Sequence, residues 1–189
     1  SVMKFSMKKV TVLLADGFEE IEALTVVDLL RRAKVYVDTV SITDDYTVRG
    51  AHGIPVQTED LITEIDFKES DMIVLPGGMP GTTNLKEDEN VRKAVQEAYD
   101  DGRYVAAICA APTILADMGL LKGKRATCYP DMEIEIENAY LTGAPVATDE
   151  NIITSQGVGT AIDFALKLIE VLISEEKAVE IADSIVYQR

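Results

Sequence analysis

Apolar residues recur along the chain with two different periods, one typical of strands and one typical of helices. Short apolar runs predict four buried strands, at residues 8–15, 34–42, 71–78 and 103–108. Between them, apolar residues at helical spacing predict helices at residues 21–33 and 89–102. Strands that alternate with helices indicate a parallel sheet with helices on both faces, so this part of the chain predicts an α/β fold.

The remainder of the chain continues this pattern. Residues 50–60 read as a loop with a short strand, in which Pro55 fits a strand start or edge. A further strand is predicted at residues 123–129, a hairpin at 144–155, and helices at 160–173 and 175–186. No repeat or linker divides the sequence, which predicts a single domain over residues 1–189. Residues 1–7 are expected to be a flexible tail or an expression remnant.

Composition and charge narrow the class of protein. The chain has 189 residues, with 33 acidic and 18 basic side chains and a formal net charge of −15. An acidic surface repels phosphate backbones, so nucleic-acid binding is not expected. No apolar run is long enough to span a bilayer, and the N-terminal residues do not resemble a signal peptide. The sequence therefore predicts a cytoplasmic protein that does not bind membranes.

Cysteine and histidine are scarce, which limits the chemistry available. Two cysteines and one histidine cannot supply a four-ligand zinc site of the Cys/His kind, and no metal or cofactor is expected. A disulfide between Cys109 and Cys128 is disfavoured in a reducing compartment. Cys128 lies on a predicted strand and is expected to be a packed core thiol. Any cysteine chemistry is then nucleophilic or redox chemistry.

Three turns are predicted to meet at one edge of the sheet, because ligands of such sheets bind outside the carboxyl ends of the strands. The turns are residues 16–22, 75–81 and 108–112. Cys109 lies where a strand turns sharply into a helix, as in a nucleophile elbow, and a helix N-terminus favours a thiolate. The glycines of the second turn leave backbone N–H groups for an oxyanion hole. A buried structural cysteine and an ordinary glycine turn would give the same patterns.

Four blocks of sequence carry a resemblance to a known family. They are LLADGFEEIEALTVVDLLRRA, IVLPGGMPGTTNL, AAICAAPTIL and TSQGVGTAIDFALKLIE. Together and in this order they resemble the ThiJ/PfpI superfamily, in the branch of the parkinsonism-associated deglycase and bacterial YajL. The resemblance implies a flavodoxin-like three-layer α/β sandwich, with a mostly parallel sheet and helices on both faces, and a homodimer.

The resemblance also implies a set of site residues. It places the reactive cysteine at Cys109 and its carboxylate partner at Glu22, a choice that spacing alone does not make among the neighbouring glutamates. It places oxyanion-hole amides at Gly78 and Ala110, with Gly77 shaping the turn. The implied function is glyoxalase or deglycase chemistry on methylglyoxal or its protein adducts, with an oxidation-sensitive cysteine. A non-catalytic redox sensor or a chaperone-like stress protein is the alternative.

The sequence departs from the family pattern where histidines would be expected. Peptidase-like members carry a histidine directly after the cysteine, where this chain has Ala110. The deglycase branch often has a histidine where this chain has Tyr129. A cysteine peptidase or amidase is therefore the least supported function. Tyr129, His52 and Arg49 are left as candidate substrate contacts.

The protonation states of Glu22 and Cys109 are expected to depend on each other. A carboxylate and a thiolate in contact repel each other, so Glu22 and Cys109 are expected to share one proton. We expect a raised pKa for Glu22, and for Cys109 a pKa below the free value of about 8.5, unlike Cys128.

The apolar surface of the first helix is wider than a single stripe of core-facing residues. Ile21 and Val26 add to a stripe formed by Leu24, Val27 and Leu30. A partner subunit could cover the excess, which agrees with the implied homodimer.

Overall fold

Within residues 7–188, which the computed structural model describes, seven strands form one sheet and two pairs form small separate sheets. The strands are β1 (Lys9–Leu14), β2 (Tyr36–Ser41), β3 (Thr47–Arg49), β4 (Pro55–Gln57), β5 (Asp60–Leu61), β6 (Met72–Leu75), β7 (Tyr104–Ile108), β8 (Arg125–Ala126), β9 (Tyr140–Leu141), β10 (Val146–Asp149) and β11 (Ile152–Ser155). The helices are α1 (Glu20–Arg32), α2 (Gly81–Glu87), α3 (Glu89–Asp100), α4 (Pro112–Asp117), α5 (Ala161–Leu172) and α6 (Glu175–Ser184). The expectation for the N-terminal tail falls on residues 1–6, outside the described residues, and on Met7.

The main sheet is parallel apart from one edge strand. Its order is β10-β11-β7-β6-β1-β2-β5, and only β10 runs antiparallel, to β11. The strands β1, β6 and β7 are neighbours at the centre, so their carboxyl ends lie side by side. This topology brings together the three turns that the sequence pattern assigned to one edge.

The two faces of the sheet carry separate cores. Side chains that alternate along β1 and β6 point to opposite faces, as the period of a strand requires. One face packs under α1, α5 and α6, with Val26, Phe164 and Ile181 among its buried residues. The other packs under α3 and α4, with Val95 and Ile114. The predicted three-layer, flavodoxin-like arrangement is confirmed.

The main differences from the predicted elements lie at residues 81–87 and 123–129. The short helix α2 was not predicted. The strand predicted at 123–129 reduces to the two residues of β8, which pair with β9 outside the main sheet. The segment is held to β11 by a side chain, since the N–H of Thr127 donates to Oγ1 of Thr154 at 3.0 Å. In the described part of the chain, no helix is both long and apolar enough to cross a membrane.

The buried face of α1 is rotated from the one predicted. Leu24 is 38% exposed and Ile21 is 53% exposed, so the core-facing assignment of Leu24 is wrong. The helix instead turns Glu22, Ala23 and Val26 inward, each with 0% exposure. A fully buried glutamate within this face was not predictable from the apolar pattern, and it marks the helix as part of a site.

Candidate active site

The turns after β1 and β6 are joined directly by backbone hydrogen bonds. The N–H of Glu19 donates to the carbonyl of Gly77 at 2.8 Å, and the N–H of Gly81 donates to the carbonyl of Gly17 at 3.1 Å. These bonds fix the start of α1 against the glycine turn. Both turns therefore lie beside the end of β7, where Cys109 follows.

Cys109 occupies a strained corner between β7 and α4. Its φ is +65°, in the left-handed region that L-residues other than asparagine and aspartate seldom adopt. Two backbone hydrogen bonds hold it there, each 2.9 Å long. The N–H of Cys109 donates to the carbonyl of Ser155, and the carbonyl of Cys109 accepts from the N–H of Tyr129. Cys109 is partly exposed, whereas Cys128 is 1% exposed. The geometry matches the nucleophile elbow that the sequence suggested.

Glu22 reaches the same corner from the first turn of α1. The N–H of Gly77 donates to its Oε1 at 2.9 Å, while its Oε2 is buried without a hydrogen-bond partner fixed by the described residues. A Cβ at Gly77 would lie 2.7 Å from Glu22 Oε1 and 2.7 Å from Cys109 Cβ. Gly77 therefore shapes the turn by letting the carboxyl and the cysteine approach each other. Among Glu19, Glu20 and Glu22, only Glu22 accepts a hydrogen bond from the N–H of Gly77.

The acidities of the two groups are strongly perturbed. Burial raises the pKa of the Glu22 carboxyl to about 7, against opposing hydrogen bonds from Cys109 and Gly77. Burial, followed by the charge of Glu22, raises the pKa of the Cys109 thiol to about 12. The raised pKa of Glu22 agrees with the sequence-based expectation. The lowered pKa expected for Cys109 is contradicted.

The physical reason for this correction is the balance of local groups around the sulfur. The N–H of Ala110 lowers the pKa of Cys109, but burial and Glu22 outweigh it. The helix α4 has only six residues and begins at Pro112, so Cys109 lies before its first turn. Burial also raises the pKa of Cys128 to about 12, so access rather than acidity distinguishes the two cysteines. Between the two ionisations the Glu22–Cys109 pair holds one proton, which either partner can carry.

Two backbone N–H groups in these turns, those of Gly78 and Ala110, donate to no carbonyl within residues 7–188. The N–H of Ala110 lies beside the sulfur of Cys109 and lowers the pKa of the thiol. Gly77 differs, because its N–H is taken by Glu22. A thiol, a buried carboxyl and free backbone N–H groups are the groups that covalent acyl or carbonyl chemistry uses.

Comparison with known proteins identifies the family of the chain. A family model described as the DJ-1/PfpI family matches residues 8–171. The chain belongs to the DJ-1/PfpI family. The resemblance identified from the four sequence blocks is thereby confirmed.

Individual members of the DJ-1/PfpI family resemble most of this chain. It is 39% identical to "Protein DJ-1 homolog B" of Arabidopsis thaliana over 98% of its own length but 43% of that protein, so it spans less than half of this relative. It is 34% identical to the "Glutathione-independent glyoxalase DJ-1" of Schizosaccharomyces pombe, covering 90% of this chain and 94% of the other. The solved structure of oxidized Toxoplasma gondii DJ-1 superimposes with a TM-score of 0.91 at 36% identity, covering 96% of this chain and 100% of the other.

Gly78 supports the turn of this DJ-1/PfpI chain in a way that gives a test. Its φ is +93°, and a Cβ there would overlap the backbone nitrogen of Glu19. We expect Gly78→Ala to lower the free energy of unfolding by roughly 2–4 kcal/mol, through backbone strain and overpacking. Urea denaturation followed by circular dichroism measures this loss. Gly102→Ala is the control: its φ is +74°, but a Cβ there would meet no atom within 4 Å, so only the conformational cost remains. Equal losses in both variants would contradict the proposed close approach.

Tyr129 and Gly157 border the sulfur on the open side of the site. A Cβ at Gly157 would lie 3.8 Å from Cδ1 of Tyr129 and 3.9 Å from Sγ of Cys109. The structure thus places Tyr129 at the site, as expected for a residue predicted from the sequence to be a candidate substrate contact. Gly157 was missed as a site residue. Its only signal was its place in the last of the four sequence blocks.

The other two candidate contacts have partners elsewhere. Nδ1 of His52 lies 3.0 Å from Oε1 of Glu20, and the guanidinium of Arg49 donates to the carbonyl of Gly53 at 2.7 Å. Their described contacts hold the loop between β3 and β4 rather than the surroundings of Cys109. Since His52 is the one histidine of the chain, the structure gives no support to a Cys-His peptidase.

Proposed function

We propose that this protein is a glyoxalase- or deglycase-type enzyme that uses Cys109 as nucleophile on methylglyoxal or its protein adducts. The observation that carries the proposal is the contact of Cys109 with the buried carboxyl of Glu22 and the N–H of Ala110. The N–H of Gly78, in the turn after β6 at the same sheet edge, has no carbonyl acceptor within residues 7–188. The name of the Schizosaccharomyces pombe relative, a glutathione-independent glyoxalase, supports the choice of a small aldehyde substrate.

In the first step, the sulfur of Cys109 attacks the aldehyde carbon and forms a C–S bond. The electron pair of the carbonyl moves to its oxygen, which the N–H groups of Gly78 and Ala110 stabilise. Glu22 supplies the proton that completes the hemithioacetal. Attack requires the thiolate, so the proton of the pair must lie on Glu22 when the substrate is bound.

In the second step, the Glu22 carboxylate removes the proton from the carbon that bears sulfur, and the electron pair of that C–H bond moves toward the neighbouring carbonyl to form an enediolate. Glu22 then returns the proton to the neighbouring carbon, and the hydroxyl proton passes from the oxygen of the first carbon to the oxygen of the second. The result is a thioester of lactate on Cys109. Water hydrolyses this thioester, which releases lactate and restores the thiol. A carboxyl with a pKa of about 7 suits both directions of transfer, because its two protonation states are both populated near neutral pH.

The direct test of the proposal is conversion of methylglyoxal to lactate by the purified protein without added glutathione. We expect lactate to form in proportion to enzyme concentration, with no requirement for an added cofactor. Absence of lactate above the rate of the buffer alone would contradict the proposed activity.

A redox sensor is the second candidate, and one observation favours it. The sulfur of Cys109 is partly exposed, and both the N–H of Ala110 and a protonated Glu22 could donate to the oxygens of a sulfinate. Intact mass after mild peroxide separates the candidates. Addition of two oxygens at Cys109 in a protein that turns over no aldehyde would favour the sensor.

We further propose that the protein is a homodimer, through the apolar surface of α1. Ile21, Leu24, Ile54 and Ile162 are 53%, 38%, 50% and 40% exposed, and all four line one depression between α1, α5 and the β3–β4 loop. A contiguous apolar patch on a chain with a net charge of −15 is typical of an interaction surface.

The dimer proposal predicts that Leu24→Asp produces a monomer. A charge at the centre of the patch would be buried without a partner on association. Size-exclusion chromatography with light scattering at micromolar concentration measures the mass. Ile134→Asp is the control, because Ile134 is 75% exposed outside this patch and is expected to leave the dimer intact. A monomeric wild-type protein would overturn the proposal.

A further inference from the structure

A second cluster of ligating side chains lies at the start of α1, facing the β3–β4 loop. Nδ1 of His52 lies 3.0 Å from Oε1 of Glu20 and 3.4 Å from Oε2 of Glu19. One ligand atom from each of the three side chains falls within 4.8 Å of the others. Zinc bonds to nitrogen and oxygen ligands are about 2.0–2.2 Å long, which places tetrahedral ligand atoms roughly 3.4 Å apart. One ion could therefore replace the contacts among these atoms without a large movement.

The two carboxylates are already oriented for this role. Their side chains are 11% and 5% exposed for Glu19 and Glu20. The N–H of Ile21 donates to Oε1 of Glu19 at 3.1 Å, and the N–H groups of His52 and Ile54 donate to Oε2 of Glu20 at 2.9 and 3.2 Å. The oxygens that remain are those that face the imidazole. Outer hydrogen bonds of this kind fix the ligands of metal sites.

The remaining side of the cluster is open. In a single chain the side chain of His52 is 68% exposed, which gives an ion a path from solution and room for a water molecule as a further ligand.

We propose that Glu19, Glu20 and His52 bind one divalent transition-metal ion, with Zn²⁺ as the best-fitting probe. The donor set is one imidazole nitrogen and two carboxylate oxygens, which suits zinc-like ions better than Mg²⁺ or Ca²⁺, whose ligands are oxygens. Metal binding at this cluster would not require the proposed enzyme activity. The cluster is not visible from the number of cysteines and histidines, because two of its three ligands are glutamates.

The bound ion would join the β3–β4 loop to the first turn of α1. His52 and Glu20 are 32 residues apart in sequence, so the ion would cross-link two elements that otherwise meet through hydrogen bonds. An ion that binds the folded chain but not the unfolded chain also stabilises the folded state. Zinc is therefore expected to raise the melting temperature as well as to bind.

The test uses the 189-residue chain without a tag and with the substitution Cys109→Ser, so that this thiol cannot serve as a zinc ligand. Zn²⁺ is titrated by calorimetry, and the resonances of the imidazole are followed by NMR. Because the chain has one histidine, those resonances report only on His52. We expect binding of one Zn²⁺ per chain, a shift of the imidazole resonances and a higher melting temperature.

Two variants in the same background remove one ligand each and keep the scaffold. His52→Ala retains the backbone N–H that binds Glu20, and Glu19→Gln retains an oxygen to cap α1. Each is expected to weaken Zn²⁺ binding at least about 10-fold, since even outer-shell changes reach that size. Glu135→Gln, a change at an exposed carboxylate elsewhere, is expected to have no effect. Unshifted imidazole resonances at saturating Zn²⁺, unchanged affinity in His52→Ala, or equal binding of Mg²⁺ would each overturn the proposal.

Discussion

Replacement of Cys109 by serine is expected to reduce the kcat/KM for methylglyoxal at least about 10³-fold, as removal of an enzymatic nucleophile commonly does. The hydroxyl of serine is a far weaker nucleophile than a thiolate at neutral pH, and Glu22 is not basic enough to activate it. Serine is close to cysteine in size and can keep the backbone hydrogen bonds to Ser155 and Tyr129. The loss is therefore expected in kcat rather than in folding.

Cys128→Ala is the matched control, since the chain has only two cysteines. Cys128 is buried, and its thiol donates to the carbonyl of Tyr129 at 3.3 Å. Its replacement is expected to lower stability slightly and to keep most of the turnover. Equal turnover by wild type and Cys109→Ser, measured as lactate formed, would contradict a nucleophilic role for Cys109.

Replacement of Glu22 by glutamine is expected to lower kcat about 10²-fold or more, which is the usual contribution of a general acid–base group. An amide can accept from the N–H of Gly77 in the same position, but it cannot deliver or remove a proton. The KM is expected to change little, because the shape of the site is kept. Steady-state kinetics with methylglyoxal measures both parameters.

Glu97→Gln serves as the control for this substitution, since Glu97 is exposed on α3. It is expected to show wild-type kinetics. A Glu22→Gln enzyme with unchanged kcat would show that Glu22 is a buried structural carboxyl, and the proton transfers proposed above would then lack a carrier.

Much of the fold was predictable because its signals are local. Apolar runs and helical spacing identified the central strands and the longer helices, and the parallel arrangement then required the three turns to share one edge. The sharp turn at Cys109 and the paired glycines after β6 were visible in the sequence for the same reason. The strand predicted at residues 123–129 failed because its partner, β9, is itself only two residues long. The single domain and the cytoplasmic location stay predictions.

The features that sequence could not supply depend on packing between distant segments. The contact of Glu22, rather than Glu19 or Glu20, with Cys109 follows from the rotation of α1, which is set by packing against one core and not by the apolar pattern alone. The pKa of Cys109 depends on its burial and on Glu22, neither of which has a local signal. The contact between His52 and Glu20 joins residues 32 positions apart. Such contacts become visible only in three dimensions.

The central claim is that Glu22 and Cys109 titrate as one pair that keeps a single proton above neutral pH. Below pH 7 both groups are protonated; above it one proton is lost, and the form with a thiolate and a protonated Glu22 becomes accessible. Loss of the second proton is displaced towards a pH of about 12, because it would place two negative charges together. In Glu22→Gln the thiol titrates alone, between these two values.

The most direct measurement is the rate of iodoacetamide labelling at Cys109 from pH 5 to 10.5, read by mass spectrometry with buried Cys128 as internal reference. For the wild type we expect the rate to rise through about pH 7 and then to level off, since the pKa of Glu22 is about 7. For Glu22→Gln we expect the step near pH 7 to disappear and the rate to rise at higher pH, past that of the wild type. A single wild-type step at the ordinary thiol value of about 8.5, unchanged by Glu22→Gln, would contradict the shared proton.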